Sequence, residues 1–187
     1  MFSGLDKLPP LRYTPELFPY SFERMIFMTI RPAAPEDLPA LERVYARARS
    51  FMKETGNPTQ WSPNYPSADI LQADIAQNAL YVCEQDGTVV GVFALLPGEE
   101  PTYRVIDGAW HADVPYAAIH RVASDGSCRG IAQACFDFCK KQYSYLRIDT
   151  HADNLPMQAV IQKAGFRPCG TITIADGTPR IAFDYLA

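Results

Sequence analysis

The sequence predicts a mixed α/β (α+β) domain, a single sheet with helices on its faces, in the order β-α-α-β-β-β-α-β-α-β-β. Three observations carry this. Apolar residues recur every three or four positions from Leu38 to Met52, the spacing of one buried helical face. Asp86-Gly87 and Asp176-Gly177 each separate two β-rich runs, and Asp-Gly supplies the positive φ that a two-residue hairpin turn needs. A β-rich run at 116–123 passes through a short polar turn into a helical run at 130–142 without a spacer.

Taken in order, a first strand is expected at 26–31. A helix follows from Pro35, a favoured first helical residue, with Glu36 and Asp37 placed where the helix dipole attracts negative charge. Gly56-Asn57-Pro58 ends it, and a Pro-rich loop carrying Gln60 and Trp61 leads to a shorter helix at 67–78. The runs 80–85 and 88–96 form the first hairpin. Residues 97–115 are a long Pro/Gly-punctuated connection, with a short strand expected at 103–106. After the strand 116–123 and helix 130–142 come a strand at 145–150, a helix at 154–164 stopped by Gly165, and a closing hairpin of 166–174 and 179–185.

Residues 1–24 read differently. Pro9, Pro10, Pro15 and Pro19 break regular structure, while Leu8, Leu11, Tyr13, Phe18 and Phe22 are too apolar for a free tail. Either they dock as an N-terminal arm on a domain spanning 25–187, or they precede a true start at Met25 or Met28.

The 187 residues are 48% hydrophobic and 12% aromatic, enough for one packed core, which excludes disorder for most of the chain. Lys and Arg number 17 against 21 Asp and Glu, so the basic excess used on phosphate backbones is missing and nucleic-acid binding is not expected. No apolar run approaches the roughly 18–20 residues of a membrane span. The five cysteines are odd in number and lack a Cys-x-x-Cys pair, which fits a reducing cytoplasm. Cys135 and Cys139 lie one helical turn apart; core packing is the simpler account and metal binding the alternative, and no metal is expected.

The richest chemical feature is Ser127-Cys128-Arg129-Gly130-Ile131-Ala132. Between strand and helix, successive backbone N–H groups point out of a helix N-terminus, an anion site by construction. Gly130 permits close backbone approach, and Ser127 or Arg129 can add donors. Plain helix initiation is the other reading of these residues.

This segment, together with Asn154 and Gly165-Phe166, resembles the GNAT superfamily of acetyl-CoA-dependent N-acetyltransferases. Gly130 and Ala132 match the small positions of the family's Gln/Arg-x-x-Gly-x-Gly/Ala turn, and Asn154 to Gly165-Phe166 matches its later helix. The resemblance implies a central mixed, mostly antiparallel sheet flanked by helices, and direct attack of a primary amine on acetyl-CoA in a ternary complex. It also implies that Val122, Ala123, Ser127 to Ala132 and Asn154 line the cofactor path, with the Val122 N–H toward the thioester oxygen. Two positions depart from the pattern. Ser127 replaces the usual Gln or Arg, and Ile161 stands where many members carry a Tyr acid, leaving the thiolate to depart unassisted.

An amine of pKa near ~10 is protonated at neutral pH, so a base is needed. His120 shares a strand face with Tyr116 and Ala118 and lies two residues before Val122; it is the base candidate, with a hydrogen-bonded core histidine as the alternative. Asp149 and His151 also share a face, and a carboxylate–imidazole pair there could polarise substrate or pin the following loop. Gln60, Trp61, Tyr103, Trp110 and His111 are expected in loops over the acceptor groove or as a lid over the core. The acceptor is a small-molecule or peptide amine, and a homodimer is left open. A CoA-binding sensor without turnover and an interaction module on the same fold are the alternatives.

Overall fold

The structure is a computed structural model in which residues 28–187 are described; the N-terminal arm expected at 1–24 lies outside them. β1 (Met28–Pro32) leads into α1 (Leu38–Glu54) and α2 (Ala68–Ala76). There follow β2 (Leu80–Gln85), β3 (Thr88–Pro97), β4 (Ile106–Gly108) and β5 (Ala117–Ser124). The chain ends with α3 (Ile131–Gln142), β6 (Tyr145–Thr150), α4 (Leu155–Lys163), β7 (Arg167–Thr173) and β8 (Pro179–Leu186). The eight strands form one sheet in the order β1-β2-β3-β5-β6-β8-β7-β4, antiparallel throughout except where β5 meets β6.

Two local expectations shift. The helix expected from Pro35 starts as a 3₁₀ turn at Pro35–Asp37, because Pro39 has no N–H to donate to the Pro35 carbonyl. The Asp37 carboxylate accepts from the Ala34 N–H at 2.8 Å and pairs with Arg31 at 2.7 Å, tying β1 to the start of α1. The short strand expected at 103–106 lies instead at Ile106–Gly108. Pro101–Tyr103 is a 3₁₀ turn capped by the Glu100 carboxylate, and the strand pairs with β7 from Ile106 opposite Ile172 to Gly108 opposite Gly170. A Cβ on either glycine would come within 2.2 Å of the opposite backbone, so the approach needs both.

Three apolar clusters hold the layers together. α3 and α4 pack Ile131, Cys135, Phe136, Cys139 and Ile161 against one face of the sheet. α1 and α2 pack Leu41, Val44, Tyr45 and Leu71 on the opposite face, over β2 and β3. On that same side, Tyr103 covers Ala118, Ile172 and Ala182, so the 97–116 connection roofs the other half of the sheet. Cys135 and Cys139 are core residues, with Cys135 Sγ 3.6 Å from Cys83 Sγ.

Candidate functional site

β5 and β6 pair over only three residues, ending at Ile119 opposite Ile148. Beyond that point the strands part, and each contributes one polar residue to the gap: His120 from β5 and Asp149 from β6. Their closest atoms, His120 Nδ1 and Asp149 Oδ2, are 3.9 Å apart. The opening is reinforced on the far side of β5. There Arg121 takes a left-handed φ of 57° and the β3–β5 register slips between Val92 and Ala94, a bulge that re-aims the side chains around it.

Three groups converge on His120. Nε2 lies 3.4 Å from Glu100 Oε2, Nδ1 faces Asp149, and the ring of Tyr103 lies 5.8 Å away, centre to centre. Tyr103 donates its hydroxyl to Asp149 Oδ2 at 2.8 Å. The His120 imidazole 3.4 Å away, opposed by burial and aided by hydrogen bonds from Thr102, holds the Glu100 carboxyl down at about 2, so it is ionised at neutral pH. Burial raises the Tyr103 hydroxyl well above its ordinary value, with the Asp149 charge adding to the effect. The imidazole therefore sits between acidic groups, with a buried, neutral phenol holding one of them.

His120 borders a cleft of about 400 Å³ lined by Gln60, Trp61, Tyr65, Glu100, Asp149 and Arg180 among others. A second cavity of about 370 Å³ is lined by Arg47, Ala48, Gly126, Cys128, Gly130, Ile131, Ala132 and Val160. Met52, Val122, Asn154 and Met157 belong to both, so the two cavities meet at the parting of β5 and β6.

The second cavity suits a long ligand with an anionic end. Gly130 caps α3 in the left-handed region at φ 82°, no side chain caps the helix, and the space where a Cβ would stand is open. The first-turn N–H groups of α3 thus face the cavity without an internal acceptor. Of the residues expected on the cofactor path, Val122, Ala123, Cys128, Gly130, Ile131, Ala132 and Asn154 line this cavity. Ser127 and Arg129 do not. Both are exposed, and the Ser127 N–H and hydroxyl are spent on Asp125 Oδ1.

Several other expected residues are placed differently. His151 Nδ1 lies 3.2 Å from the Asp153 N–H, from which it accepts when neutral, and 3.4 Å from the Asp153 carboxylate, while Asp149 is engaged by Tyr103 and His120. The expected Asp149–His151 pair is therefore replaced by a turn contact and an Asp149–His120 contact, because β6 ends at Thr150. Trp110 donates to the Tyr103 carbonyl and stacks on Arg147, serving the roof. His111 binds Asp184 through its N–H and Nδ1, both at 2.8 Å, and Nδ1 lies 3.4 Å from Cys169 Sγ. Burial opposes ionisation of Asp184, yet the hydrogen bonds from His111 and Tyr145 outweigh it and keep the carboxyl below its ordinary range. His111, Cys169 and Asp184 have the spacing of metal ligands, and Asp184 there already accepts from the His111 N–H and the Tyr145 hydroxyl.

Glu100, Arg121, Met157 and Arg180 border the site without having been singled out in the sequence. Glu100 sits in the irregular connection, where periodicity is silent. Arg121 reaches the cleft through its unusual φ, and its guanidinium pairs with Asp74 at 2.8 Å. Ile161, at the position of the family's frequent Tyr, is fully buried in the core.

Residues 28–167 match a family profile described as the acetyltransferase (GNAT) domain. No curated protein sequence matches significantly. Among solved structures, a GNAT-family acetyltransferase from Streptococcus agalactiae superposes with a TM-score of 0.78 at 29% identity, covering 86% of this chain and 95% of its own. A GNAT-family acetyltransferase from Listeria monocytogenes gives 0.64 at 19% identity, over 86% and 95%. The ribosomal-protein-alanine N-acetyltransferase of Brucella melitensis gives 0.55 at 19% identity, over 85% and 99%. With the profile spanning well over half of the chain and the sheet and helices arranged as in these structures, the protein belongs to the GNAT family of acetyltransferases.

Proposed function

We propose that the protein transfers an acetyl group from acetyl-CoA to a primary amine, with residues 25–187 as the acetyltransferase domain. The observation that carries this reading is His120, set between Glu100 and Asp149 where the two cavities join. When bound, acetyl-CoA supplies the acetyl thioester. Gly130, Ile131 and Ala132 would hold its phosphates on the uncapped start of α3, and Val122 and Asn154 would flank the reactive end, where both cavities share a wall.

The acceptor enters as an ammonium ion. Ionised Glu100 and the Asp149 carboxylate attract that charge, and His120 Nε2, buried without a conventional hydrogen-bond partner, is the group placed to take the proton. A carboxyl held at about 2 is too weak a base for this proton, which leaves the imidazole. With Ile161 in the acid position, no side chain of α4 is assigned to the leaving thiolate.

The test is a panel of primary amines, from polyamines and amino acids to peptide N-termini, incubated with acetyl-CoA and read by mass for the acetylated product. Acetylation of at least one amine supports the reading. Tight CoA binding with no product across the panel would instead favour a CoA sensor.

A further inference from the structure

Two guanidinium groups line the acceptor cleft, and they are differently employed. Arg121 is neutralised by Asp74. Arg180 is 4% exposed, and among the described residues no carboxylate lies within ion-pair distance of it. Its hydrogen bonds go to neutral oxygens: Nη1 to Thr178 Oγ1 at 2.9 Å and to the Pro179 carbonyl at 3.0 Å, and Nη2 to the Gln60 carbonyl at 3.1 Å. Asp176, the acidic group nearest in sequence, spends Oδ1 on the Thr178 N–H and hydroxyl and feels the Arg180 charge only at longer range, without an ion pair. A guanidinium has five N–H donors, so two remain, and a buried charge is ordinarily matched by an opposite one.

The sheet register says where that charge lies. Ala182 on β8 is opposite Asp149 on β6, and Arg180, two residues along, shares their face. Arg180 thus stands at one end of the cleft and the Glu100, His120 and Asp149 group at the other, offset by about two strand residues, roughly 7 Å of backbone. A cationic nitrogen suits the acidic end and an anion the Arg180 end. Because Glu100, Asp149 and Asp176 all line the cleft, a singly charged carboxylate fits better than a dianionic phosphate.

We propose that the acceptor is a small amino acid-like molecule carrying a carboxylate a few atoms from its amine, and that Arg180 receives that carboxylate. This rests on the acetyl-transfer reading above. Gln60 contributes through its carbonyl, which accepts from Nη2 and helps fix the guanidinium at the cleft wall.

The experiment compares glycine, β-alanine, 4-aminobutyrate and 6-aminohexanoate with alkylamines of matching chain length, and with 3-aminopropylphosphonate, in wild type, Arg180→Gln and Arg180→Lys. At least one amino acid should exceed its alkylamine in kcat/KM by about tenfold or more, the scale of a charge-assisted pair. In Arg180→Gln that ratio should collapse toward one through KM, with Arg180→Lys between. Equilibrium dialysis of the same amino acids with CoA present reads binding without turnover. Arg180-dependent binding without any acetylated product would uphold the carboxylate site and sink acetyl transfer. Amines acetylated with no preference for carboxylates, a preference unchanged in folded Arg180→Gln, or a preference for the phosphonate would each overturn this inference and leave acetyl transfer standing. Neither binding nor turnover in wild type would overturn both.

Discussion

His120 Nε2 lies 3.4 Å from Glu100 Oε2, joining a strand residue to one in the irregular connection that roofs the sheet. If His120 takes the amine's proton, His120→Ala lowers kcat/KM by about 10²–10⁴ while acetyl-CoA affinity changes little. A histidine kept for packing alone gives the reverse, a lower melting temperature with near-normal turnover in the folded fraction. Steady-state rates and thermal unfolding on one preparation separate the two.

The same contact makes a pH prediction for stability. Glu100 sits at about 2 in the folded chain against an ordinary 4.5, so its depressed carboxyl contributes stability that is fully present above the ordinary value. That contribution is lost as pH falls through the window down to about 2. Denaturant midpoints of wild type and Glu100→Gln should differ at pH 6 and converge near pH 2; a constant gap across the window would mean the contact does not hold the carboxylate.

Acetyl-CoA should raise the melting temperature by mass action, and Gly130→Glu should abolish that rise by placing a negative charge over the open start of α3. Since any side chain is strained at φ 82°, Gly130→Asn is the control, because Asn tolerates the left-handed region. The Asn variant should keep much of the shift. Retention of the full shift by a folded Glu variant would move the phosphate site elsewhere.

Of the five cysteines, Cys128 alone is partly exposed, and burial pushes Cys139 and Cys169 up to about 12. A maleimide should therefore label one thiol in the folded protein. Because Cys128 borders the second cavity, saturating acetyl-CoA should slow that labelling several-fold. Equal rates with and without acetyl-CoA would count against the cofactor path.

Gly91 on β3 is packed so closely that an added Cβ would stand 2.4 Å from Ile131 Cγ2, at the first residue of α3. Gly91→Ala should cost about 1–3 kcal/mol by overpacking and weaken acetyl-CoA binding, since relief requires the start of α3 to shift. Chemical denaturation and calorimetric titration of the one variant read both effects.

The parts of the fold legible in the sequence were those with a period or a turn code. The α1 stripe, the Asp86-Gly87 and Asp176-Gly177 hairpins and the Gly130 turn appear where they were expected, since each is a local preference that packing reinforces. What was missed depends on distant partners. Glu100 becomes part of the site through a cap on Thr102 and a meeting with His120 across the roof. Arg121 enters through a bulge that its own residue type does not announce. Arg180 looked like one more strand residue, because nothing local tells a solvated arginine from one left without a carboxylate.

Gln60 has a wider consequence. Its side-chain oxygen accepts from Asn57 Nδ2 at 2.7 Å and from Asn154 Nδ2 at 2.9 Å, while its carbonyl accepts from Arg180. Asn154 in turn caps α4 through Met157 N–H. A single loop residue thus couples the end of α1, the start of α4 and the wall formed by β8. Lengthening or exchanging that loop to admit a new acceptor would disturb the cofactor seat at the same time. Acceptor preference in this chain should therefore drift by substitutions that spare the residue 60 junction, and grafted loops should need a compensating change at 154 or 180 before they function.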